Sequence, residues 1–541
     1  MKAWKKVAVP HEDVLTGSLT MSEFAADLNL VAKGRASSEY QDARQFFERT
    51  YITEGMKELL VSVARRLKGL GGDPVVQLKT NFGGGKTHSM LAVYHMARRG
   101  DVPASGLKGV PQILDAAGID GIPESRTAVL VGTAISPNEP EGAGGRKINT
   151  LWGRLAFQLL GLDGYEMVER SDVEGTPPGS DLLAEILRRA APCVVFFDEM
   201  VKFILSDLDK AEMYLKNFTP SNKRVPSLAV AYGIRAKVHL WDEDYANAAK
   251  YARLAIETSG ATPMTEDEWE NPNTGFASAA NSWMWYLTYS PESMGNLCNY
   301  CGWASAEADW GYSSLTCPMI DRSLYDKIAS TDFRKHVFVN PKKFDYYNYE
   351  TSRDRAFIED APDYLALKFR CKFGDWQDYS NGGATDVPIM RVEEMYLIEA
   401  EAVAASQGVE AGVALLNSFM QKYRQPNYKC TITDLREFQL EVLTQMRIEF
   451  WGEGNAFPSA KRLKPGVIQN YEGTNAPADI FKINCEGIKP LWNLVIPVNE
   501  EQSNVALVGK NNPDPTQCVK GPSPVGEYAK SKAELEAEKE Q

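Results

Sequence analysis

Residues 193–211 decide the fold, because two unlike textures meet inside them. Cys193-Val194-Val195-Phe196-Phe197 is a short apolar run that ends in two carboxylates, Asp198-Glu199. Five residues later, Ile204-Leu205-Ser206-Asp207-Leu208-Asp209-Lys210-Ala211 opens an amphipathic pattern that persists for most of the remaining chain. A bounded apolar run of this length predicts a buried strand, whereas apolar residues recurring every three to four positions predict helices.

Upstream of this junction the texture is that of an α/β protein. Val75 to Lys79 predicts a short buried strand that runs straight into Thr80-Asn81-Phe82-Gly83-Gly84-Gly85-Lys86-Thr87. Met90, Leu91, Val93, Tyr94 and Met96 then mark a helix. Strand, glycine-rich loop, Lys-Thr and helix is the context of a phosphate-binding P-loop. Glycines at 83, 84 and 85 let backbone N–H groups close around phosphates without Cβ clashes. Lys86 would neutralise phosphate charge, and the Thr87 hydroxyl would reach Mg2+. A second strand is expected at 128–133 and a third at 193–197. In that setting Asp198 is expected to hold the Mg2+ shell, and Glu199 to polarise an attacking water as the one candidate catalytic residue. Thr80 stands where the usual loop begins with Gly.

Downstream, Ala231, Ile234, Val238 and Trp241 fall at helical spacing, and after Asp242-Glu243-Asp244 so do Tyr245, Ala248, Ala249, Ala252 and Ile256. Two such helices with small residues where they cross predict a tetratricopeptide-like hairpin. Further helical stripes follow at Val392–Val403, Val413–Tyr423 and Leu435–Met446. The expected fold is therefore an incomplete α/β P-loop domain over 1–200, a mainly α, tetratricopeptide-like domain over 201–515, and a charged tail over 516–541.

Both parts carry resemblances. Lys2-Ala3-Trp4, Glu23 to Leu28, Thr80 to Met90 and Leu151 to Ala156 resemble the front of a family of large prokaryotic AAA-like ATPases. That family implies bound ATP. Its sheet inserts a further strand between the P-loop strand and the one ending in Asp-Glu, and adds a sensor residue and an arginine finger. None of these can be placed here, so ATP binding is expected rather than hydrolysis. From about 202 to 515 the chain resembles the SusD/RagB family of Bacteroidetes outer-membrane proteins. The motifs are Ile204 to Ala211, Arg391 to Ala402, Arg447 to Gly454 followed by Lys461-Arg462, and Ile496-Pro497 with Glu500 and Asn504. Pro458-Ser459-Ala460 departs from that family's aromatic-Asp-Leu before the Lys-Arg pair, which puts one local contact in question. The resemblance implies a non-catalytic fold that binds oligosaccharides for a TonB-dependent transporter at the cell outer membrane.

Sugars present C–H faces to flat aromatic rings, and residues 283–312 are rich in them: Trp283, Trp285, Tyr286, Tyr289, Tyr300, Trp303, Trp310 and Tyr312. Trp283, Trp285, Tyr286, Tyr300, Trp303 and Trp310 are the candidate glycan contacts, in an expected loop context and against the alternative that any one of them packs in the core. Further clusters are Tyr346, Tyr347 and Tyr349, and Trp376 with Tyr379. Cys298 and Cys301 form a CxxC with Cys317 nearby, but no fourth ligand stands at zinc-site spacing. A net charge of −13 argues against nucleic acid as the main partner. The N-terminus lacks an apolar signal segment, so the expected location is cytoplasmic as written.

Three functions follow: oligosaccharide binding fused to an ATP-binding segment, a cytoplasmic AAA-like ATP-binding protein, or a non-functional fusion of two gene fragments. The third rests on the abrupt change between Glu199 and Ile204, where a natural domain boundary usually carries a polar linker.

Overall fold

The computed structural model describes residues 26–72, 75–76, 78, 85–98, 103–132, 141–143, 146–292, 299–341, 355–476, 482 and 484–485. The chain divides into two compact units, residues 1–204 with 494–512, and residues 205–493 with 513–541. The helix Met200–Leu215 begins two residues after the strand Cys193–Asp198.

In the first unit, Arg126–Val131 and Cys193–Asp198 pair in parallel, with Val131 opposite Asp198. The helix Lys86–Ala97 packs on both strands, and Tyr94 meets Phe196 edge-on at 6.0 Å. Helices Ala43–Arg49, Glu54–Lys68 and Val110–Ala117 complete one core around Phe46, Phe47, Leu60, Leu91 and Ile113. Glu54–Lys68 starts on a Thr53 cap and stops at Gly69 in the left-handed region, which only glycine enters freely. Gln158 covers one edge of the small sheet: its amide oxygen accepts from the Val129 N–H at 2.7 Å, and its NH2 donates to the Val129 carbonyl at 3.0 Å. One side chain thus does part of a neighbouring strand's work.

Of the strand expected at 75–79, Gln77 and Lys79 lie outside the described residues. Among the described residues there Val75 is 82% exposed and Val76 43%, and neither lies in a strand. Among the described residues the first unit shows this two-stranded parallel sheet and a short antiparallel pair, Glu141–Ala143 with Arg146–Ile148, together with helices.

The second unit is mainly helical. Leu228–Trp241 and Tyr245–Ser259 form the expected hairpin, capped by Ser227 and Asp244. Val392–Gln407 packs against Tyr245–Ser259 and against Val409–Tyr423. The core is built on Ala248, Ala252, Met395, Ile398, Leu416 and Phe438. A Cβ at Gly412 would stand 2.5 Å from the Ala400 carbonyl oxygen, so glycine sets how closely the last two helices cross. Residues 283–288, expected as loop, instead form a strand paired antiparallel with Asp386–Arg391, with register shifts at Trp285. Among the described residues no helix is long and apolar enough to cross a membrane.

Candidate functional site

The residues the sequence pointed to lie in two places. In the first unit, Gly85 lies at φ 73° and starts the helix Lys86–Ala97 with no side-chain cap. Gly83 and Gly84 lie outside the described residues, as does Thr80. Lys86 is exposed and Thr87 half-buried. Asp198 ends its strand, and its carboxyl is pushed up by burial and by the neighbouring Glu199 charge. Glu199 sits at φ 55° and forms an ion pair with Lys202. A Cβ at Gly132, just past the partner strand, would come within 2.1 Å of the Glu199 carbonyl oxygen, so a glycine is needed where the two strand ends meet. A cleft of about 880 Å³ lies at the opposite, amino ends of the strands beside Arg98, Arg126 and Arg189. Ligands of parallel sheets bind at the carboxyl ends, so that cleft is not the place the motif designates.

In the second unit the aromatic candidates separate. Trp283 is fully buried and meets Phe276 and Tyr286 as part of the core. It is not a surface platform, because its strand is bulged and turns both Trp283 and Met284 inward. Tyr286 is half-buried against it, and Trp285 is half-buried with its indole N–H donated to the Arg224 carbonyl. Tyr300 packs edge-on against Phe369 at 5.4 Å. Trp310 is half-buried over Cys301, Ala308 and Cys371, with Trp376.

Trp303 alone of the six is well exposed, at 55%, and it has a partner. Its ring stacks on Tyr312 with centroids 4.7 Å apart and planes 19° from parallel, and Tyr312 is 38% exposed. The backbone sets this pair. Asn299 caps the short helix Tyr300–Ala304 by accepting from the Gly302 N–H at 2.8 Å. A Cβ at Gly311 would stand 2.8 Å from the Gly302 carbonyl oxygen. Two glycine backbones in contact therefore bring the next residues, Trp303 and Tyr312, side by side.

Beneath these loops lies a buried charged cluster that sequence reading did not foresee. Glu449 accepts from Arg334 at 3.1 Å, Arg391 at 3.0 Å and Arg424 at 2.8 and 2.9 Å. Glu453 accepts from Lys368 at 2.6 Å and Arg391 at 2.9 Å. Burial alone would raise the Glu449 carboxyl, but Arg424, then Arg391 and Arg334, hold it well below the usual carboxylate range. Lys368, with no exposed surface, is pushed down to about 8 by burial. The motif Arg447 to Gly454 is thus explained: Glu449 and Glu453 are the anions of this cluster. Gly452, at φ 78°, would otherwise drive a Cβ into Phe369 at 2.5 Å. Arg462 keeps its buried ion pair with Glu401 at 2.7 Å despite the altered Pro458-Ser459-Ala460.

Of the CxxC, Cys298 lies outside the described residues, and Cys301 faces Cys371, with sulfurs 4.0 Å apart. Tyr346, Tyr347, Tyr349, Ile496, Pro497, Glu500 and Asn504 also lie outside them, as do Lys2 to Trp4 and Glu23 to Ala25.

Among solved structures, the chain is similar to a SusD-like carbohydrate binding protein from Bacteroides vulgatus, at 17% identity and a TM-score of 0.44, covering 87% of this chain and 97% of that one. It is also similar to a SusD superfamily protein from Bacteroides thetaiotaomicron, at 12% identity and a TM-score of 0.41, covering 85% and 99%. No curated protein matches the chain. Its kinship is therefore assigned by segment: residues 3–224 match the model described as the DUF499 N-terminal domain, and residues 298–483, which hold the Trp303–Tyr312 pair and the Glu449 cluster, match the SusD family.

Proposed function

We propose that the second unit binds oligosaccharide, with Trp303 and Tyr312 as its sugar-stacking platform. The observation that carries this is an exposed, pre-stacked aromatic pair inside the segment that matches the SusD family. An exposed ring costs little to order when a neighbouring ring already holds it, and its outer face is free for the C–H face of a pyranose. Within that family such binding serves a TonB-dependent transporter at the outer membrane, and this is the partner and place the proposal assigns. No catalysis is assigned to this unit. The test is affinity electrophoresis in gels containing bacterial and plant polysaccharides. The native chain should be retarded by at least one of them, and Trp303→Ala should abolish the retardation. Unchanged retardation of Trp303→Ala would remove the platform from the account.

A second activity, ATP binding by the first unit, is favoured by one feature. The uncapped start of the helix Lys86–Ala97, with Lys86 and Thr87 in its first turn, belongs to the same unit as the carboxylate that ends the strand Cys193–Asp198. Lys86 would meet phosphate charge, Thr87 and Asp198 would hold Mg2+, and the helix dipole would favour the anion. Mg2+ would neutralise phosphate charge there. Hydrolysis is not proposed. Thermal stabilisation by MgATP that vanishes in Lys86→Ala supports this activity, and its absence in the native chain removes it.

A further inference from the structure

We propose that Glu266, Glu270 and His336 form a site for one divalent transition-metal ion, zinc foremost. One carboxylate oxygen of each glutamate and a ring nitrogen of the histidine all lie within 4.8 Å of one another. His336 Nδ1 stands 2.5 Å from Glu270 Oε1 and 3.7 Å from Glu266 Oε1. Tetrahedral zinc with bonds of roughly 2.0–2.2 Å sets its ligands about 3.2–3.6 Å apart. The Glu266 separation, 3.7 Å, lies just above that range. The Glu270 separation is that of a hydrogen bond, which opens by about 1 Å when a metal takes the place of the shared proton.

The scaffold is firm on both sides. Glu266 and Glu270 are four apart on the helix Glu266–Glu270 and so share a face. A reciprocal capping box between Thr265 and Glu268 fixes the start of that helix. Trp269, 1% exposed, anchors it between the two carboxylates. On the other side, the short 3-10 helix Phe333–Lys335 ends at His336, whose N–H donates to the Phe333 carbonyl at 2.9 Å. Phe333 meets Trp269 edge-on at 6.1 Å, which joins the two scaffolds.

Charge points the same way. Among the described residues neither carboxylate forms an ion pair with a lysine or arginine. Arg370 donates to the Glu270 backbone carbonyl at 3.4 Å and pairs its charge with Glu307. Arg334 is committed to Asp332 and Glu449, and Lys335 to the Ile328 carbonyl. Two carboxylates against one imidazole leave net negative charge at the cluster. Glu266 is more than half exposed, so a fourth position stays open to water. Three side chains from two elements, with nitrogen and oxygen donors only, suit zinc, nickel or cobalt better than calcium. The ion would pin the two elements together rather than perform chemistry.

The experiment uses the full chain stripped with a chelator and titrated calorimetrically with zinc, then loaded with cobalt for its absorption spectrum. The native chain should take up one ion with a dissociation constant in the micromolar range or tighter. Its cobalt spectrum should show weak d–d bands without thiolate charge transfer, which separates this site from cysteine ligation. Glu266→Gln, at an exposed position that does not threaten folding, should weaken binding at least tenfold, as should His336→Gln. A native chain that takes up no zinc, a cobalt spectrum dominated by thiolate, or unchanged affinity in Glu266→Gln would each overturn the assignment.

Discussion

Glu449 shows how a residue outside any ligand site can explain a motif. It is fully buried and receives hydrogen bonds from three arginines. Breaking such a cluster by removing one charge is expensive, about 3–5 kcal/mol, because the partners stay buried and unpaired. Glu449→Gln should therefore lower stability by about that amount in urea unfolding. The pH dependence follows from the direction of its shift. A carboxyl held below its unfolded value contributes stability that is fully present above about pH 4.3 and is lost as pH falls toward the folded value. Acid unfolding of the native chain should show this loss, and Glu449→Gln should flatten it. The spacing of Glu449 and Glu453 was visible in the sequence, but their partners lie up to 115 residues away, so the reason for the motif was not. Trp303 illustrates the converse. Its residue type marked it as a candidate, while only the contact between Gly302 and Gly311 separates it from buried Trp283. Gly311→Ala should reduce glycan affinity toward that of Trp303→Ala, because the added Cβ forces the two rings apart. Equal affinity of Gly311→Ala and the native chain would contradict this.

Among the elements, the helical stripes and the strands ending near Val131 and Asp198 were legible, and the strand at Trp283–Thr288 was not. The stripes at 231–256 and 392–446 follow a period of 3.6, and helices appear where they lie. Trp283 to Thr288 has no alternation to read, and its bulged pairing explains why. Val75 and Val76 had the composition of a strand but are exposed and outside any strand, and tertiary context overrides β propensity. The crossing of Val392–Gln407 with Val409–Tyr423 depends on Gly412, where a Cβ would lie 2.4 Å from the Ala404 Cβ. Gly→Ala in a helix gains up to about 1 kcal/mol in propensity, but overpacking costs typically 1–3 kcal/mol, so the clash wins. Gly412→Val should lower the melting temperature, and Gly408→Ala, where a Cβ would meet open space but φ is 117°, tests backbone strain separately.

The whole molecule joins a segment matching the DUF499 N-terminal domain to one matching the SusD family. The change of texture expected after Glu199 falls inside the segment matching the DUF499 N-terminal domain, which runs to residue 224. Which side retains a working surface was not readable in the sequence, because exposure is a tertiary property. The central claim is that the second unit offers a sugar platform at Trp303 and Tyr312. The most direct measurement is the thermal shift of the full chain with the oligosaccharide its affinity gels identify, in native, Lys86→Ala and Trp303→Ala forms. A ligand at about one hundred times its dissociation constant stabilises by about 2.7 kcal/mol. The account predicts that shift in the native chain and in Lys86→Ala, and its loss in Trp303→Ala. The same shift in all three forms, or in none, would contradict it.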